Sequence, residues 1–149
     1  MESHRNDSGG LVSIKRDIEY AIYIHGVWKT RFRNFLNGRA PMDISSVGRT
    51  DCCKLGQWLD NEARRMLSPA DHSEAHRLHA HFHAVCGSIV DNIKCREFGP
   101  AREALATDGA FDKASHSLAA FLRRMPLRKG MKGAAEAPAA DSPVYQDAA

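Results

Sequence analysis

Apolar residues recur at intervals of three and four along much of the chain, a spacing that places them on one face of an α-helix. The longest example runs from Ser13 to Asn37. Its apolar face includes one histidine and consists of Ile14, Ile18, Ala21, His25, Trp28, Phe32 and Phe35. The dipeptide Asn37-Gly38 is typical of a helix C-terminus, because both residues tolerate the left-handed backbone conformation. The pattern predicts one long helix that buries His25 with its apolar neighbours.

The middle of the chain predicts a loop, a short helix and a second long helix. Residues 38–50 are rich in Gly, Pro, Asp and Ser, which indicates a loop. A short helix is expected from Cys53 to about Met66, with an apolar edge made of Leu55, Trp58 and Leu59. Ser68-Pro69-Ala70-Asp71 is a strong helix start, since it combines an N-cap serine, a first-turn proline and an early acidic residue. That helix is predicted to run to about Phe98, where Gly99-Pro100 would end it.

A last helical segment is predicted over residues 101–106 and 111–125, with a break at Thr107-Asp108-Gly109. Its core candidates are Ala114, Leu118, Phe121 and Leu122. Few segments show the alternation of a strand. The sequence therefore predicts an all-α fold, an antiparallel four-helix bundle with an extra short helix or loop that carries the Cys53 motif.

The two ends of the chain lack the apolar residues that a packed core requires. Residues 1–12 are mostly polar and include Ser8-Gly9-Gly10, and residues 128–149 consist mainly of Gly, Ala, Pro and scattered charge. We expect a disordered N-terminus over residues 1–12, one folded domain over residues 13–127 and a disordered C-terminal tail over residues 128–149. One domain is also what a chain of 149 residues favours.

Composition argues against several classes of function. The formal net charge of +3 is too small to indicate nucleic acid, and no aromatic residues interleave with the basic ones near the end of the last helix. No apolar run reaches about 18 residues, and the N-terminus lacks the pattern of a signal peptide. Four cysteines are too sparse for a disulfide-stapled secreted domain. These features predict a cytoplasmic protein with neither a membrane nor a nucleic-acid partner.

Histidines are concentrated on the predicted helix that follows Ser68. At 100° per residue, four of them fall within about 60° of one another, namely His72, His76, His79 and His83. An apolar face runs beside them and consists of Leu78, Phe82, Val85 and Ile89. Imidazoles four residues apart on a helix can bind the same ion, so His79 and His83 are the best candidate pair. His72, His76 and His81 are more simply interpreted as ordinary helix residues.

Three segments far apart in sequence therefore offer metal ligands: His25, a cysteine, and the His79/His83 pair. Three nitrogens and one sulfur suit zinc(II) in a closed tetrahedral site. The spacing alone leaves the cysteine open. Cys53 begins the turn that contains Leu55 and can point inward, whereas Cys86 lies one helical turn after His83. Cys52, directly beside Cys53, would point elsewhere.

The ordered set of motifs resembles the chemoreceptor zinc-binding domain family, CZB. The motifs are His-x-x-Trp at 25–28, Cys-x-Leu-Gly-x-Trp-Leu at 53–59 and His-x-x-Phe-His at 79–83. Residues 28–32 and 109–115 are also similar to that family, so the resemblance covers about Ile14 to Leu127. It implies zinc ligands at His25, Cys53, His79 and His83, which favours Cys53 over Cys86.

The resemblance further implies a four-helix bundle, often a homodimer, that regulates an attached chemoreceptor or diguanylate cyclase in bacteria. This sequence has neither a coiled-coil signalling stalk nor a Gly-Gly-Asp-Glu-Phe cyclase signature. We therefore expect a free-standing regulatory module rather than an enzyme, with its output passing through a signalling partner in trans. The signal would be zinc itself or oxidation of the Cys53 thiolate; sensing of hypochlorous acid or related oxidants is also implied by the resemblance.

Two alternatives belong to other classes of protein. A hemerythrin-like or di-iron bundle would bind oxygen, but it needs several inward carboxylates beside the histidines. Asp17 and Glu19 are the only near candidates on the first helix. The second alternative is a helical interaction module with buried histidines and no metal. Metal content distinguishes this second alternative from a zinc-binding module.

Overall fold

The computed structural model describes residues 7–42 and 53–128, and these residues form six α-helices and no strand. The helices are α1 (Asp7–Leu36), α2 (Lys54–Asp60), α3 (Ala63–Met66), α4 (Pro69–Lys94), α5 (Phe98–Ala104) and α6 (Ala110–Arg124). The predicted all-α helical bundle is confirmed, with three long helices and three short ones. Residues 1–6, 43–52 and 129–149, which include Cys52 and most of the predicted loop and tail, lie outside the described residues.

Helix α4 is the centre of the bundle. It packs most extensively against α6 and also contacts α2, α3 and α5, while α1 packs against α6 and α2. Lys29 pairs with Asp112, and Glu19 pairs with Arg123, so α1 and α6 run antiparallel. The largest fully buried apolar side chains come from five different helices or their ends and are Phe32, Leu59, Phe82, Ile89, Leu105 and Phe111. One continuous core therefore joins the long helices to the short ones.

Helix α1 begins earlier than its apolar pattern predicts. We expected a start at Ser13, but the helix begins at Asp7. Once a helix is nucleated, each added residue gains a backbone hydrogen bond, and this offsets the low helix propensity of Gly9 and Gly10. The C-terminus matches the prediction, because Gly38 takes a φ of 71°. Its amide and that of the next residue bond back to Phe35 and Asn34.

The predicted end of α4 is wrong by four residues. The helix ends at Lys94 rather than at Phe98, because Arg96 takes the left-handed conformation, with a φ of 61°. The amide of Glu97 then bonds to the carbonyl of Asn92 at 2.7 Å and closes the helix end. Gly99-Pro100 lies in the first turn of α5, where a proline costs no hydrogen bond. The dipeptide that we interpreted as a stop therefore belongs to the start of the next helix.

The predicted break between the last two helical segments is confirmed. Helix α5 ends at Ala104 and α6 starts at Ala110. Gly109 is required in this turn, since a Cβ atom there would lie 2.6 Å from the carbonyl oxygen of Glu103. Further on, the backbone amide of Arg128 donates to the carbonyl of Met66 at 2.9 Å, which attaches the first residue of the predicted tail to α3. Within the described ranges, no helix has the length and apolar character needed to cross a membrane.

Candidate metal centre

Four side chains from three parts of the fold meet in the core. His25 comes from the middle of α1, Cys53 directly precedes α2, and His79 and His83 lie one turn apart on α4. Each residue offers one ligand atom, and these four atoms all lie within 4.8 Å of one another. The three histidines are almost inaccessible to solvent, with exposed fractions of 4%, 2% and 1% respectively. The structure thus brings together the four residues that the sequence motifs single out.

The two cysteines between which the spacing left a choice occupy different environments. Cys53 is half-buried, and its Sγ lies 3.2 Å from Nε2 of His79 and 3.7 Å from Nε2 of His83. Cys86 is fully buried in the apolar core. Burial raises the pKa of the Cys86 thiol well above its usual range, which keeps it protonated. Cys53 is therefore the cysteine placed to act as a ligand.

The orientation of His25 supports a ligand role. Its Nδ1 donates a hydrogen bond to the carbonyl of Ala21 at 2.6 Å. Since a carbonyl can only accept, the proton is on Nδ1 and the lone pair is on Nε2. This Nε2 is buried and has no hydrogen-bond partner among the described residues. A buried polar atom without a partner costs about 1–3 kcal/mol, and a metal ion in the cluster would use the lone pair instead.

The distances around the cysteine sulfur fit a tetrahedral ion. Zn–S bonds of about 2.3 Å and Zn–N bonds of about 2.0–2.1 Å place sulfur and nitrogen ligands about 3.6 Å apart. The observed separations of 3.2 and 3.7 Å lie close to that value. The residues present therefore fit zinc, with His25, Cys53, His79 and His83 as the ligand set.

Helix α2 holds Cys53 in position. Cys53 is the N-cap residue of this helix, and its Sγ accepts a hydrogen bond from the backbone amide of Gly56 at 3.4 Å. Leu55 and Leu59, buried on the inner face of the helix, anchor it to the core. The Cys-x-Leu-Gly motif thus joins a capping thiol at Cys53, a buried anchor at Leu55 and, at Gly56, the amide that the thiol caps. The sequence analysis did not identify the roles of the Ala21 carbonyl and the Gly56 amide. Ala21 lies four residues before His25 and Gly56 lies three residues after Cys53. Both separations are usual for hydrogen bonds between a side chain and the nearby backbone.

Aromatic side chains shield the cluster from water. The ring of Phe82 lies 5.0 Å from that of His25, and the ring of Trp28 lies 5.4 Å from that of His83. Trp28 and Phe82 also contact each other, with their centroids 5.9 Å apart. Trp28 and Trp58 both pack against the core, as predicted. Exclusion of water lowers the local dielectric and strengthens the attraction between an ion and its ligands.

Burial also keeps the imidazoles in the form that binds metal. Desolvation lowers the pKa of His25, although its hydrogen bond to Ala21 acts in the opposite direction. Desolvation, followed by the nearby His83 and His25, lowers the pKa of His79 to about 2. Both imidazoles are therefore neutral near pH 7 in the metal-free protein, with lone pairs available for an ion.

The depressed pKa of His79 predicts that the metal-free protein is less stable in acid. Below pH 6.5 the unfolded chain protonates this histidine and the folded chain does not, so stability falls as pH drops from about 6.5 towards 2. The expected slope for this residue is up to about 1.4 kcal/mol per pH unit. Urea unfolding of chelator-treated protein at pH 7 and pH 5 measures this change in the free energy of unfolding. Equal free energies of unfolding at the two pH values would contradict the prediction.

The remaining histidines of α4 lie outside this cluster. His72 and His76 contact the end of α2 through Leu59 and Asp60, and His81 is exposed. The carboxylate candidates for a di-iron site point elsewhere: Asp17 and Glu19 are exposed, and Glu19 pairs with Arg123. Within the described part of the chain, the one group of three or more potential metal ligands contains no carboxylate. The hemerythrin-like alternative therefore finds no support.

An all-helical bundle with a buried three-histidine, one-cysteine cluster defines a class of proteins with a metal site in the bundle core. The comparison with protein families gives a match in that class: residues 25–90 match the model of the chemoreceptor zinc-binding domain, CZB. The matched segment begins at His25 and extends past His83. Residues 25–90 are therefore similar to the CZB family, over a segment that contains all four residues of the cluster. Comparisons with curated proteins and with solved structures gave no match.

Proposed function

We propose that this protein is a zinc-binding regulatory module. The main supporting observation concerns the buried Nε2 atom of His25. This atom has a lone pair and no hydrogen-bond partner among the described residues. It belongs to the same cluster as Cys53, His79 and His83. Zinc explains both the unused lone pair and the combination of one sulfur with three nitrogens. The match to the CZB family supports the same ion.

The site supports regulation rather than catalysis. Four protein ligands complete the tetrahedral shell of zinc and leave no position for a substrate or an activated water. The ion would instead connect α1, the residue that caps α2, and α4. Because zinc binds the packed arrangement of these helices, occupancy shifts the bundle towards that arrangement by the difference in affinity between the two states.

The output is proposed to pass through a partner protein. We propose a role in bacterial signal transduction, either in chemotaxis or in control of cyclic-di-GMP, with a chemoreceptor or a diguanylate cyclase as the partner and a homodimer as the assembly. The match to a chemoreceptor zinc-binding domain supports a signalling role. In this proposal the protein acts in the cytoplasm. The partner would recognise the zinc-dependent packing of α2 against α1 and α4.

Oxidation of Cys53 is the second input that we propose. A two-electron oxidant such as hydrogen peroxide transfers an oxygen atom to the thiolate and gives a sulfenate and water. The oxidised sulfur is a poorer zinc ligand, so the ion would leave. Cys53 suits this role because it is half-buried, whereas Cys86 is fully buried in the core.

Native mass spectrometry of untagged protein purified without chelator tests the proposed function. The expected result is a mass increase of one zinc per chain, together with a dimer peak. Protein that contains no metal and takes up none when zinc is added would overturn the zinc proposal. That outcome would favour the alternative of a metal-free helical interaction module.

A further inference from the structure

The short helix α2 contacts α4 at both of its ends. At the N-terminal end, Sγ of Cys53 lies 3.2 Å from Nε2 of His79. At the C-terminal end, Nε2 of His72 lies 2.6 Å from the carbonyl oxygen of Leu59. Since a carbonyl can only accept, the imidazole of His72 donates this hydrogen bond. This second contact lies outside the four-residue cluster, and the proposed function does not use it.

The two contacts have matching separations on the two helices. Cys53 and Leu59 are six residues apart (59 − 53), which is about 9 Å along a helix. Their partners His72 and His79 are seven residues apart (79 − 72), which is about 10.5 Å along α4. The order of the partners is reversed, so α2 runs antiparallel to this part of α4. Two contacts with matching separations fix the direction of α2 on α4, whereas one contact would leave it free to turn.

The hydrogen bond from His72 differs in reach from the others at the end of α2. The last carbonyl groups of a helix have no partner within it and need donors from elsewhere. Three of them accept hydrogen bonds from the segment of α2 and α3 itself, from Asn61 to Gln57 and Trp58 and from Arg64 to Asp60. The carbonyl of Leu59 accepts from α4 instead, across 13 positions of the chain. Because the side chain of Leu59 is fully buried, this bond connects α4 to the part of α2 that packs in the core.

We propose that His72 is a positioning residue of the zinc site, which holds α2 alongside α4 and thereby holds Cys53 beside the imidazoles before an ion binds. This role rests on the proposed function, since it requires that the cluster binds zinc. The apparent affinity for a ligand falls in proportion to the fraction of protein in the binding-competent arrangement. Without the hydrogen bond to Leu59, α2 can turn about its apolar contacts, and Cys53 spends less time within reach of the imidazoles. His72 therefore contributes to zinc affinity without being a ligand.

Competition with a fluorescent zinc chelator tests this role of His72. His72→Ala should weaken zinc binding about 3- to 10-fold, the range expected when a hydrogen bond of ordinary strength shifts the competent fraction. His72→Gln should restore the affinity to within about twofold of wild type, because its amide nitrogen can donate from nearly the position of Nε2. Arg33→Ala is the matched control, since Arg33 donates to the carbonyl of Leu105 at 3.2 Å, at the end of a helix that carries no ligand. This control should keep wild-type zinc affinity.

Amide hydrogen exchange of chelator-treated protein gives a second measurement that needs no metal. His72→Ala should speed exchange in α2 about 3- to 10-fold and leave α6 unchanged, and Arg33→Ala should leave α2 unchanged. If wild-type protein takes up no zinc, the proposed function fails and the role of His72 fails with it. Wild-type affinity or unchanged α2 exchange in His72→Ala overturns the role of His72 alone. An equal loss of affinity in Arg33→Ala, or no recovery in His72→Gln, overturns it as well.

Discussion

Replacement of Cys53 by serine is expected to leave the purified protein without zinc. A structural zinc ion contributes about 10–16 kcal/mol through four ligands, so loss of the one thiolate should weaken binding on the order of 100-fold or more. Serine is itself a favoured N-cap residue, and it can still accept the hydrogen bond that Sγ now accepts from Gly56. The substitution therefore removes the ligand while preserving the start of α2. Competition with a fluorescent zinc chelator measures the change in affinity.

Two further variants complete this experiment. Cys53→Ala removes the cap as well as the ligand and should cost about 0.5–2 kcal/mol more than serine in the free energy of unfolding. Cys95→Ser changes an exposed cysteine at the end of α4 and should retain wild-type zinc content. The Cys95→Ser protein should also release zinc when treated with peroxide. Wild-type zinc affinity in Cys53→Ser would refute the assignment of this ligand.

Replacement of Phe82 by alanine is expected to produce the largest loss of stability. Its side chain is completely buried and lies between the cluster and the core, with its ring 5.0 Å from that of His25 and 5.2 Å from that of Phe111. Removal of a buried phenylalanine typically costs about 3–5 kcal/mol. That is a large share of the roughly 5–15 kcal/mol that stabilises a domain. Urea unfolding of metal-free protein, followed by circular dichroism, gives the difference directly.

An exposed aromatic residue provides the control for Phe82. Tyr23 lies on α1 and is 64% exposed, and Tyr23→Ala should change the stability by less than about 0.5 kcal/mol. Because Phe82 also covers the imidazoles, Phe82→Ala should release zinc to a chelator faster than wild type does. If Phe82→Ala lowers the free energy of unfolding by less than about 1 kcal/mol, the surrounding side chains must fill the space that the ring leaves. That result would contradict the proposed shielding role of Phe82.

The helices could be predicted from sequence where local signals determine them. The apolar spacing of α1 and the Ser68-Pro69 start of α4 act within a few residues. The structure confirms the presence and the C-terminal end of α1 and the start of α4. The end of α4 was missed because Arg96, rather than a glycine, occupies the left-handed position. The left-handed conformation of Arg96 depends on hydrogen bonds across the turn, such as the one from the Glu97 amide to the Asn92 carbonyl. The residue type alone does not predict this conformation.

The sequence predicted which residues form the candidate site better than it predicted how those residues are held together. Histidine spacing on α4 identified the pair His79 and His83, and the family resemblance selected Cys53. Spacing alone could not separate Cys53 from Cys86, because the distance from the Cys53 sulfur to the imidazoles depends on how α2 packs against α4. The contacts of His72 and His76 with the end of α2 depend on the same packing, and our interpretation of them as ordinary helix residues did not anticipate these contacts.

The separation of the ligands along the chain has a consequence for biosynthesis. His25 lies near the start of the domain, and His83 lies 58 positions later (83 − 25). A growing chain therefore cannot assemble the four-ligand site until α4 has been synthesised beyond His83 and has docked on α1. Closing so long a segment carries an entropic cost that only tertiary packing offsets. Zinc would thus be acquired late, as the bundle closes, and a chain that stalls before that point would remain unloaded and open to quality-control proteases.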